Sequence, residues 1–256
     1  SIACRLLGKK DDAGQIMERA RRIDPKNPAV LYQCAVAAQV SGNLNAAIDL
    51  AALIKTSDEI PHAKLFHSNL LSQAGRNEEA IHELSDFLDT APESELANAA
   101  RQTLAEIYVE EGELLKANEA IEMAIANDPT NVHSLVLAAQ LYRRMENAED
   151  AEAALDKAYR VVVDDTPMHH LEILGNELGV AERWAEAANI FAKLVDASED
   201  SPLTRKYIHA CFQGSKLGEA LSVCRQLRSA KGPLKFVTEV EIGILEETGD
   251  LTGARS

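Results

Sequence analysis

A repeating alanine frame constrains the fold of this chain more than any other feature of its sequence. In each frame an often glycine-bearing turn precedes the alanine, an apolar residue follows seven positions later, and a proline often comes next. The alanines are 34, 33, 37, 34, 36, 33 and 34 residues apart, and they span the 256-residue chain. Eight matched frames indicate an array of stacked repeats. They are centred on Ala13, Ala47, Ala80, Ala117, Ala151, Ala187, Ala220 and Ala254.

Each frame predicts a hairpin of two helices. Where two helix backbones approach closely, alanine supplies a small side chain without the helix cost of glycine. The turn between the helices often needs a positive φ, and proline ends the second helix. The turns carry Gly8, Gly42, Gly75, Gly112 and Gly249, and the prolines are Pro25, Pro92 and Pro129. Glu146, Glu182 and Ser215 replace glycine elsewhere, so we expect those turns to be less ideal.

The composition agrees with an all-α fold. Aromatic residues make up 4% of the chain, and alanine and leucine supply most of the apolar content. Residues of this kind favour helices, and β-branched residues rarely alternate with period two. A lone hairpin leaves one apolar face uncovered, so each hairpin must stack on its neighbours. The sequence therefore predicts an all-α solenoid, in which helical hairpins form an α–α superhelix.

At this level of detail the chain resembles the tetratricopeptide repeat family. The repeat that begins at Val132 places small and bulky residues where the family has them, and the resemblance extends over essentially the whole chain. Its matching residues are Leu135, Ala138, Ala139, Tyr142, Ala151, Leu155 and Ala158. The preceding repeat contributes Leu104, Ala105, Tyr108, Ala117, Ala124 and Pro129. The following repeat contributes Leu171, Leu174, Gly175, Leu178, Trp184, Ala187 and Phe191.

The resemblance implies one continuous array over residues 1–256. Both ends lack the polar capping helix that a solenoid normally needs, so we expect the chain to be a piece of a longer repeat protein. The predicted array has six complete repeats between two partial ones. Its boundaries are 1–27 (partial), 28–60, 61–93, 94–131, 132–165, 166–200, 201–234 and 235–256 (partial).

Several positions depart from the family pattern. Bulky residues replace the second small residue of four repeats, so we expect those hairpins to sit further apart or to tilt differently. These residues are Ile54, Phe87, Leu194 and Leu227. Extra residues before Arg101 and near Asp165 predict a lengthened helix or loop. His67 and Glu241 fall where the family prefers leucine.

In the tetratricopeptide family the first helix of each hairpin lines a concave groove. The resemblance therefore implies a binding groove of amides, a few aromatics and a few charges, and amides suit hydrogen bonding to a peptide backbone. Among these candidates, Tyr32, Arg143, Arg205 and Phe212 have side chains of the types that often dominate binding energy. The full set is Tyr32, Val36, Gln39, Leu65, Asn69, Gln73, Gln102, Glu106, Val136, Gln140, Arg143, Glu172, Asn176, Arg205, His209, Phe212 and Gln213.

Two specialised binding modes of the family are not indicated. A carboxylate clamp for an acidic C-terminus needs lysine four positions before the groove asparagine, but Leu65 and Glu172 stand before Asn69 and Asn176. An asparagine ladder, as in glycosyltransferase-type arrays, would need asparagine at one position of successive repeats. That position reads Gln33, Phe66, Thr103, Leu137, Ile173 and Lys206.

The sequence indicates no catalytic, metal or cofactor site. It has no glycine-rich phosphate loop, Gly-x-Ser-x-Gly elbow or His-Glu-x-x-His motif. His169 and His170 are adjacent, but neighbouring helical residues point about 100° apart, which disfavours a shared metal ion. Pairs of neighbouring carboxylates are interpreted as solvated faces. They are Glu110–Glu111, Asp164–Asp165 and Glu246–Glu247.

The four cysteines show no zinc-binding spacing and favour a reducing compartment. We interpret them as free, buried thiols, while a disulfide between Cys211 and Cys224 across one hairpin stays open as a less favoured alternative. The remaining two are Cys4 and Cys34. We therefore expect a cytoplasmic protein, or a periplasmic one if a signal lies outside this sequence.

The net charge of −15 disfavours two classes of partner. An acidic surface repels phosphate backbones and anionic membranes, and no apolar run approaches the 18 residues of a membrane span. The predicted function is a non-catalytic scaffold, favoured as a monomer, that binds a protein or peptide in its groove. A regulatory or targeting segment of a larger enzyme and a self-associating array remain the alternatives.

Overall fold

The computed structural model describes residues 22–248 except 58, 93, 95, 197 and 198. Within this part the chain forms thirteen α-helices and no strand, which confirms the all-α prediction. Gly8, Ala13, Ala20, Gly249 and Ala254 of the predicted frame lie outside the described residues.

The chain divides into two compact units, Ser1–Asp128 and Pro129–Ser256. Each unit consists of consecutive helical hairpins, whose first and second helices are called A and B helices below. The first unit holds α1 (Pro28–Val40), α2 (Leu44–Ala52), α3 (Ala63–Gln73), α4 (Asn77–Thr90), α5 (Ala97–Glu110) and α6 (Leu114–Asn127). The second holds α7 (Val132–Arg144), α8 (Ala148–Arg160), α9 (Met168–Val180), α10 (Trp184–Ala192), α11 (Pro202–Gln213), α12 (Leu217–Lys231) and α13 (Lys235–Thr248). The final helix, α13, packs against α12.

Side-chain caps begin several helices. A capping oxygen accepts a hydrogen bond from a backbone N–H three residues later, which satisfies a donor that the first turn leaves free. Asn27 caps α1 in this way over 3.0 Å, and proline occupies the first helical position next to it. The other caps of this kind are Asn43, Asn131, Asn147 and Ser201.

The turns inside the hairpins share a left-handed residue whether or not it is glycine. Gly42, Gly75 and Gly112 have φ of 80°, 73° and 78°. In the second unit the equivalent residues are Glu146, Glu182 and Ser215, with φ of 59°, 58° and 57°. Side chains with a Cβ adopt this conformation at a cost of about 1 kcal/mol. The turn geometry is therefore kept at these positions, and its cost in conformational energy is higher.

Glycine at Glu146, Glu182 or Ser215 is expected to stabilise the second unit by about 0.5–1 kcal/mol per site, because it removes the steric cost of a left-handed residue. Chemical denaturation followed by circular dichroism measures the change in the free energy of unfolding. The matched control is Glu149→Gly in the first turn of α8, which should instead destabilise that helix. Destabilisation by Glu182→Gly would contradict the interpretation of these turns.

The recurring alanines lie where the helices pack most tightly. Ala47, Ala80, Ala117, Ala187 and Ala220 are all 0% exposed, which confirms that the frame marks helix contacts. Ala151 is only half-buried. Seven residues further on, Ala124 and Ala158 are also fully buried.

Ala117→Leu is expected to destabilise the first unit by about 1–3 kcal/mol, because α6 has no room for three more carbons at its contact with α5. Thermal unfolding measured by circular dichroism tests the expectation. Leu115→Ala is the control, since Leu115 lies on the same helix and is 74% exposed. A thermal melt of Ala117→Leu that matches wild type would show that the alanine frame is misplaced.

Two B helices end early where a bulky residue replaces the second small one. The helices α2 and α10 have nine residues each, and they end two residues before Ile54 and Leu194. The helix has ended before Ile54 and Leu194, so these two positions do not require the small residue that a longer hairpin requires there. Phe87 and Leu227 lie inside α4 and α12. Seven residues, 161–167, connect α8 to α9 near the insertion predicted at Asp165.

Polar residues at two leucine positions are buried with a partner from the neighbouring B helix. His67 is 4% exposed, and its Nδ1 lies 2.7 Å from Oε2 of Glu83, which also accepts a hydrogen bond from Lys55. Burial alone would raise the pKa of Glu83, but the hydrogen bonds from His67 and Lys55 outweigh it and lower that pKa to about 2. Glu241 is 7% exposed and pairs with Arg228 in the same manner. Compensating charges thus replace the apolar contact.

Candidate protein-binding surface

Side chains of successive A helices meet in pairs in the first unit. Gln39 Nε2 on α1 donates to Gln73 Oε1 on α3 over 3.0 Å. Thr103 Oγ1 on α5 donates to Asn69 Oδ1 on α3 over 3.1 Å. Both pairs join residues 34 positions apart, which is one repeat. The A helices therefore present a polar strip whose side chains are already held in place.

An aromatic cluster lies beside this strip. The ring of Tyr32 on α1 makes edge contacts with the rings of His62 and Phe66, each at a centroid distance of 5.0 Å. Val36, one turn further along α1, is half-buried, and Glu106 on α5 is exposed. The cluster adds an amphipathic aromatic surface of the type common in protein interfaces.

The second unit has a polar strip of its own, which is built around a buried carboxylate. Glu177 on α9 is 4% exposed, accepts a hydrogen bond from Gln140 Nε2 over 2.8 Å, and forms an ion pair with Arg143. Gln140 and Arg143 lie on α7, one A helix earlier. About half of the Arg143 side chain is exposed. Arg143 thus belongs to the surface and also neutralises a buried charge.

The strip continues from α9 to α11. Lys206 Nζ donates to Glu172 Oε1 over 2.9 Å, again across 34 residues. Asn176 lies one turn after Glu172, and Gln213 lies two turns after Lys206. Both amides are exposed. They leave donors and acceptors at the surface between charges that are already paired.

The remaining candidates on α11 are packed against aromatic or charged neighbours. His209 stacks on the Trp184 ring at a centroid distance of 5.2 Å. Arg205 donates two hydrogen bonds of 2.8 Å to Asp200 and lies over the Phe236 ring. Phe212 is half-buried.

The structure buries three of the residues that the family pattern assigns to the groove. Leu65 is 7% exposed, Gln102 is 8% exposed and Val136 is 0% exposed. These side chains belong to the packing between helices, and they offer no surface to a partner. Conversely, several contacting residues were not among the candidates. They are His62, Phe66, Thr103, Glu177, Trp184, Lys206 and Phe236. The one-repeat spacing of 34 residues is the signal that could have found Thr103, Glu177 and Lys206.

Three histidines gather at the N-terminal ends of two A helices in the second unit. The ring of His170 lies 4.1 Å from that of His169 and 5.4 Å from that of His133, measured between centroids. Burial, followed by repulsion from these two neighbours, lowers the pKa of His170 to about 4. The folded state therefore favours the neutral imidazole of His170.

The depressed pKa of His170 predicts that acid destabilises the second unit. The stability that the neutral His170 side chain contributes is fully present above 6.5, the pKa of His170 in the unfolded chain. It is lost as the pH falls towards 4, the pKa in the folded chain. His170→Gln should reduce the loss of stability between about pH 7 and pH 4.5. Urea denaturation followed by Trp184 fluorescence measures this loss of stability. The variant His82→Gln, at an exposed position of α4, is the matched control. Identical pH profiles for wild type and His170→Gln would contradict the prediction.

The described cysteines are free thiols. Cys211 and Cys224 are buried, and burial raises the pKa of each to about 11, while Cys34 is half-buried. No bond joins Cys211 to Cys224, and Cys4 lies outside the described residues. In the part of the chain that the structure covers, no group of three or more His, Cys, Asp or Glu side chains is arranged to hold a metal ion. None of the described helices has the length and apolarity to cross a membrane.

The fold defines a class of protein: arrays of stacked helical hairpins. Models of the tetratricopeptide repeat match residues 67–132 and 132–161. These matches, together with the structures compared below, support a protein of the tetratricopeptide repeat family. Repeats of this family serve in general as scaffolds for protein–protein interaction, and as a rule they are not catalytic. A comparison of the sequence with curated proteins finds no match.

Solved structures of similar fold agree with this assignment. MamA from Desulfovibrio magneticus RS-1 aligns with a TM-score of 0.52 and 19% identity over 62% of this chain and 89% of its own. TTC0263, a tetratricopeptide repeat protein of Thermus thermophilus, aligns with a TM-score of 0.54 and 19% identity over 72% and 98%. Cut9–Hcn1 of the APC/C aligns with a TM-score of 0.55 and 11% identity over 93% and 47%. At these identities the likeness concerns the fold alone.

Proposed function

We propose that the A helices of this chain bind an extended or helical segment of a partner protein. The observation that carries the proposal is the polar strip, in which side chains one repeat apart are joined by hydrogen bonds. Gln39–Gln73 and Asn69–Thr103 are such pairs in the first unit, and Gln140–Glu177 is such a pair in the second unit. Side chains that are already ordered lose little conformational entropy when a partner binds.

The chemistry of the strip favours a polypeptide backbone as ligand. Arg143, Arg205 and Lys206 each pair with a carboxylate, so these cations are partly neutralised. The exposed amides of Asn176 and Gln213 can both donate and accept, as a peptide group requires. Tyr32 and its aromatic neighbours add an apolar contact at one end of the first unit.

Pull-down from a lysate of the source organism tests the proposal. The variant Asn176→Lys/Gln213→Lys places two bulky charges on the strip at exposed positions. The control Ala153→Lys/Gln226→Lys makes the same gain in charge at exposed positions of the B helices α8 and α12. We expect at least one protein that wild type and the control capture and the strip variant loses. Equal capture by both variants would contradict binding through the A helices.

We also propose that the protein works in a reducing compartment, which the free thiols of Cys34, Cys211 and Cys224 support. Alkylation of a freshly quenched cell extract followed by mass spectrometry measures the redox state of these thiols. Quantitative labelling of all three after denaturation is the expected result. A disulfide on any of them in the native cell would contradict the proposed compartment.

A further inference from the structure

The first unit contains a cleft formed by the B helices α4 and α6 and the A helix α5, and none of its lining residues belongs to the polar strip. It has a volume of about 590 Å³, within the range of ligand pockets in proteins. The C-terminal end of α4 and the middle of α6 form its walls, and α5 lies between them. Leu88, Leu104, Ala120 and Met123 supply an apolar lining. Met123 is 58% exposed, so a large apolar side chain stands at the opening.

The two B helices that form the walls of this cleft carry more carboxylates than cations. The helix α4 carries five carboxylates and neither lysine nor arginine, and α6 carries Glu119 and Glu122 against one cation, Lys116. Asp89 and Glu119 line the cleft from opposite walls and are exposed. Neither forms an ion pair within the described part of the chain. Two carboxylates thus flank the apolar lining and remain available to a partner.

The two cations of the cleft each contact a group of the protein itself. Lys116 lies 3.5 Å from Glu113 Oε2 and stands over the Tyr108 ring. Arg101 is only 7% exposed and donates to the carbonyl of Pro92 over 3.1 Å. Among the charged groups of the lining, the exposed ones that form no ion pair in the described part of the chain are therefore the two carboxylates.

We propose that this cleft docks a lysine- or arginine-rich segment of a partner protein that inserts one large apolar side chain. The apolar residue packs on Leu104, Ala120 and Met123, and the flanking cations pair with Asp89 and Glu119. Charge complementarity selects the basic partner, and burial of the apolar side chain adds a hydrophobic contribution to the binding free energy. The site is independent of the proposed binding through the A helices, because it lies on other residues and takes a ligand of different chemistry.

Methyl NMR with labelled methionine tests the proposal, because Met123 lies in the cleft whereas Met145 and Met168 lie in the other unit. The probe is a capped heptapeptide with leucine at its centre and three lysines on each side. We expect it to shift the Met123 methyl resonance and to leave Met145 and Met168 unchanged. A central glycine should weaken binding, and replacing the lysines by glutamates should abolish it. No shift of Met123 at millimolar peptide, or shifts of Met145 and Met168 equal to that of Met123, would overturn the proposal.

Matched charge reversals separate the cleft from general attraction to an acidic surface. Asp89→Lys/Glu119→Lys changes the two carboxylates of the cleft, and Glu78→Lys/Glu122→Lys makes the same change on the same helices outside it. All four positions are exposed, so both variants should fold. We expect about a tenfold loss of affinity for the first variant and a clearly smaller loss for the second. Equal losses would show that the peptide follows net charge, which would overturn the site.

Discussion

Arg143→Ala is expected to lower the free energy of unfolding of the second unit by about 2–3 kcal/mol, because it removes the cation from a buried carboxylate. Glu177 is 4% exposed, so its charge cannot turn to solvent when Arg143 is lost. Of the contacts of Glu177 described above, the hydrogen bond from Gln140 would remain. Urea denaturation followed by the fluorescence of Trp184, the single tryptophan, measures the change in this unit.

The double variant Arg143→Ala/Glu177→Leu is the control for this effect. It removes the buried charge together with its partner, so most of the lost stability should return. If Arg143→Ala alone left the free energy of unfolding unchanged, water would be shown to replace the Arg143 side chain easily. The result also matters for binding, since a groove variant that contains Arg143→Ala can lose its partner simply by unfolding.

Gly214→Ala is expected to cost about 2–3 kcal/mol, at the upper end of overpacking effects. A Cβ at this position would lie 2.8 Å from the backbone nitrogen of Ala185 and 2.9 Å from the carbonyl oxygen of Ala210. Backbone atoms cannot rotate away as a side chain can, so the A–B turn after α11 must shift. Trp184 adjoins the contact, and its fluorescence during urea denaturation reports the loss.

Gly218→Ala is the matched control, four residues further along the chain. A Cβ there meets nothing within 4 Å, and alanine is the better helix former in α12. We expect this variant to be as stable as wild type or more stable. If Gly214→Ala were as stable as Gly218→Ala, the result would contradict the close approach of the two hairpins at this turn.

The periodic features of the fold could be predicted from the sequence because each is set by local chemistry. The recurring alanines marked buried helix contacts, and the turn glycines marked left-handed residues. Glu146, Glu182 and Ser215 were expected to make their turns less ideal, and they keep the left-handed conformation at a higher conformational cost. The stacked hairpins around them therefore hold the turn in place against the local preference.

The strip was predicted less well, because a helix face depends on the register of each repeat. A slip of one residue rotates a side chain by about 100°, which is enough to move it from surface to core. Leu65, Gln102 and Val136 are buried for this reason. The hydrogen-bond and ion-pair partners of the exposed candidates depend on contacts between repeats, which no single repeat reveals. Glu177 is an example, since only its position 34 residues after Arg143 indicates the pair.

The central claim is that the A helices form a binding surface for a partner protein and that the exposed face of the B helix α12 does not. Photo-crosslinking from p-benzoylphenylalanine at Asn176 on α9 and at Gln226 on α12, carried out in a lysate of the source organism, tests it most directly. The account predicts a discrete crosslinked protein from Asn176 and none from Gln226. A crosslinked protein from Gln226 alone, or no crosslinked protein from either position, would contradict it.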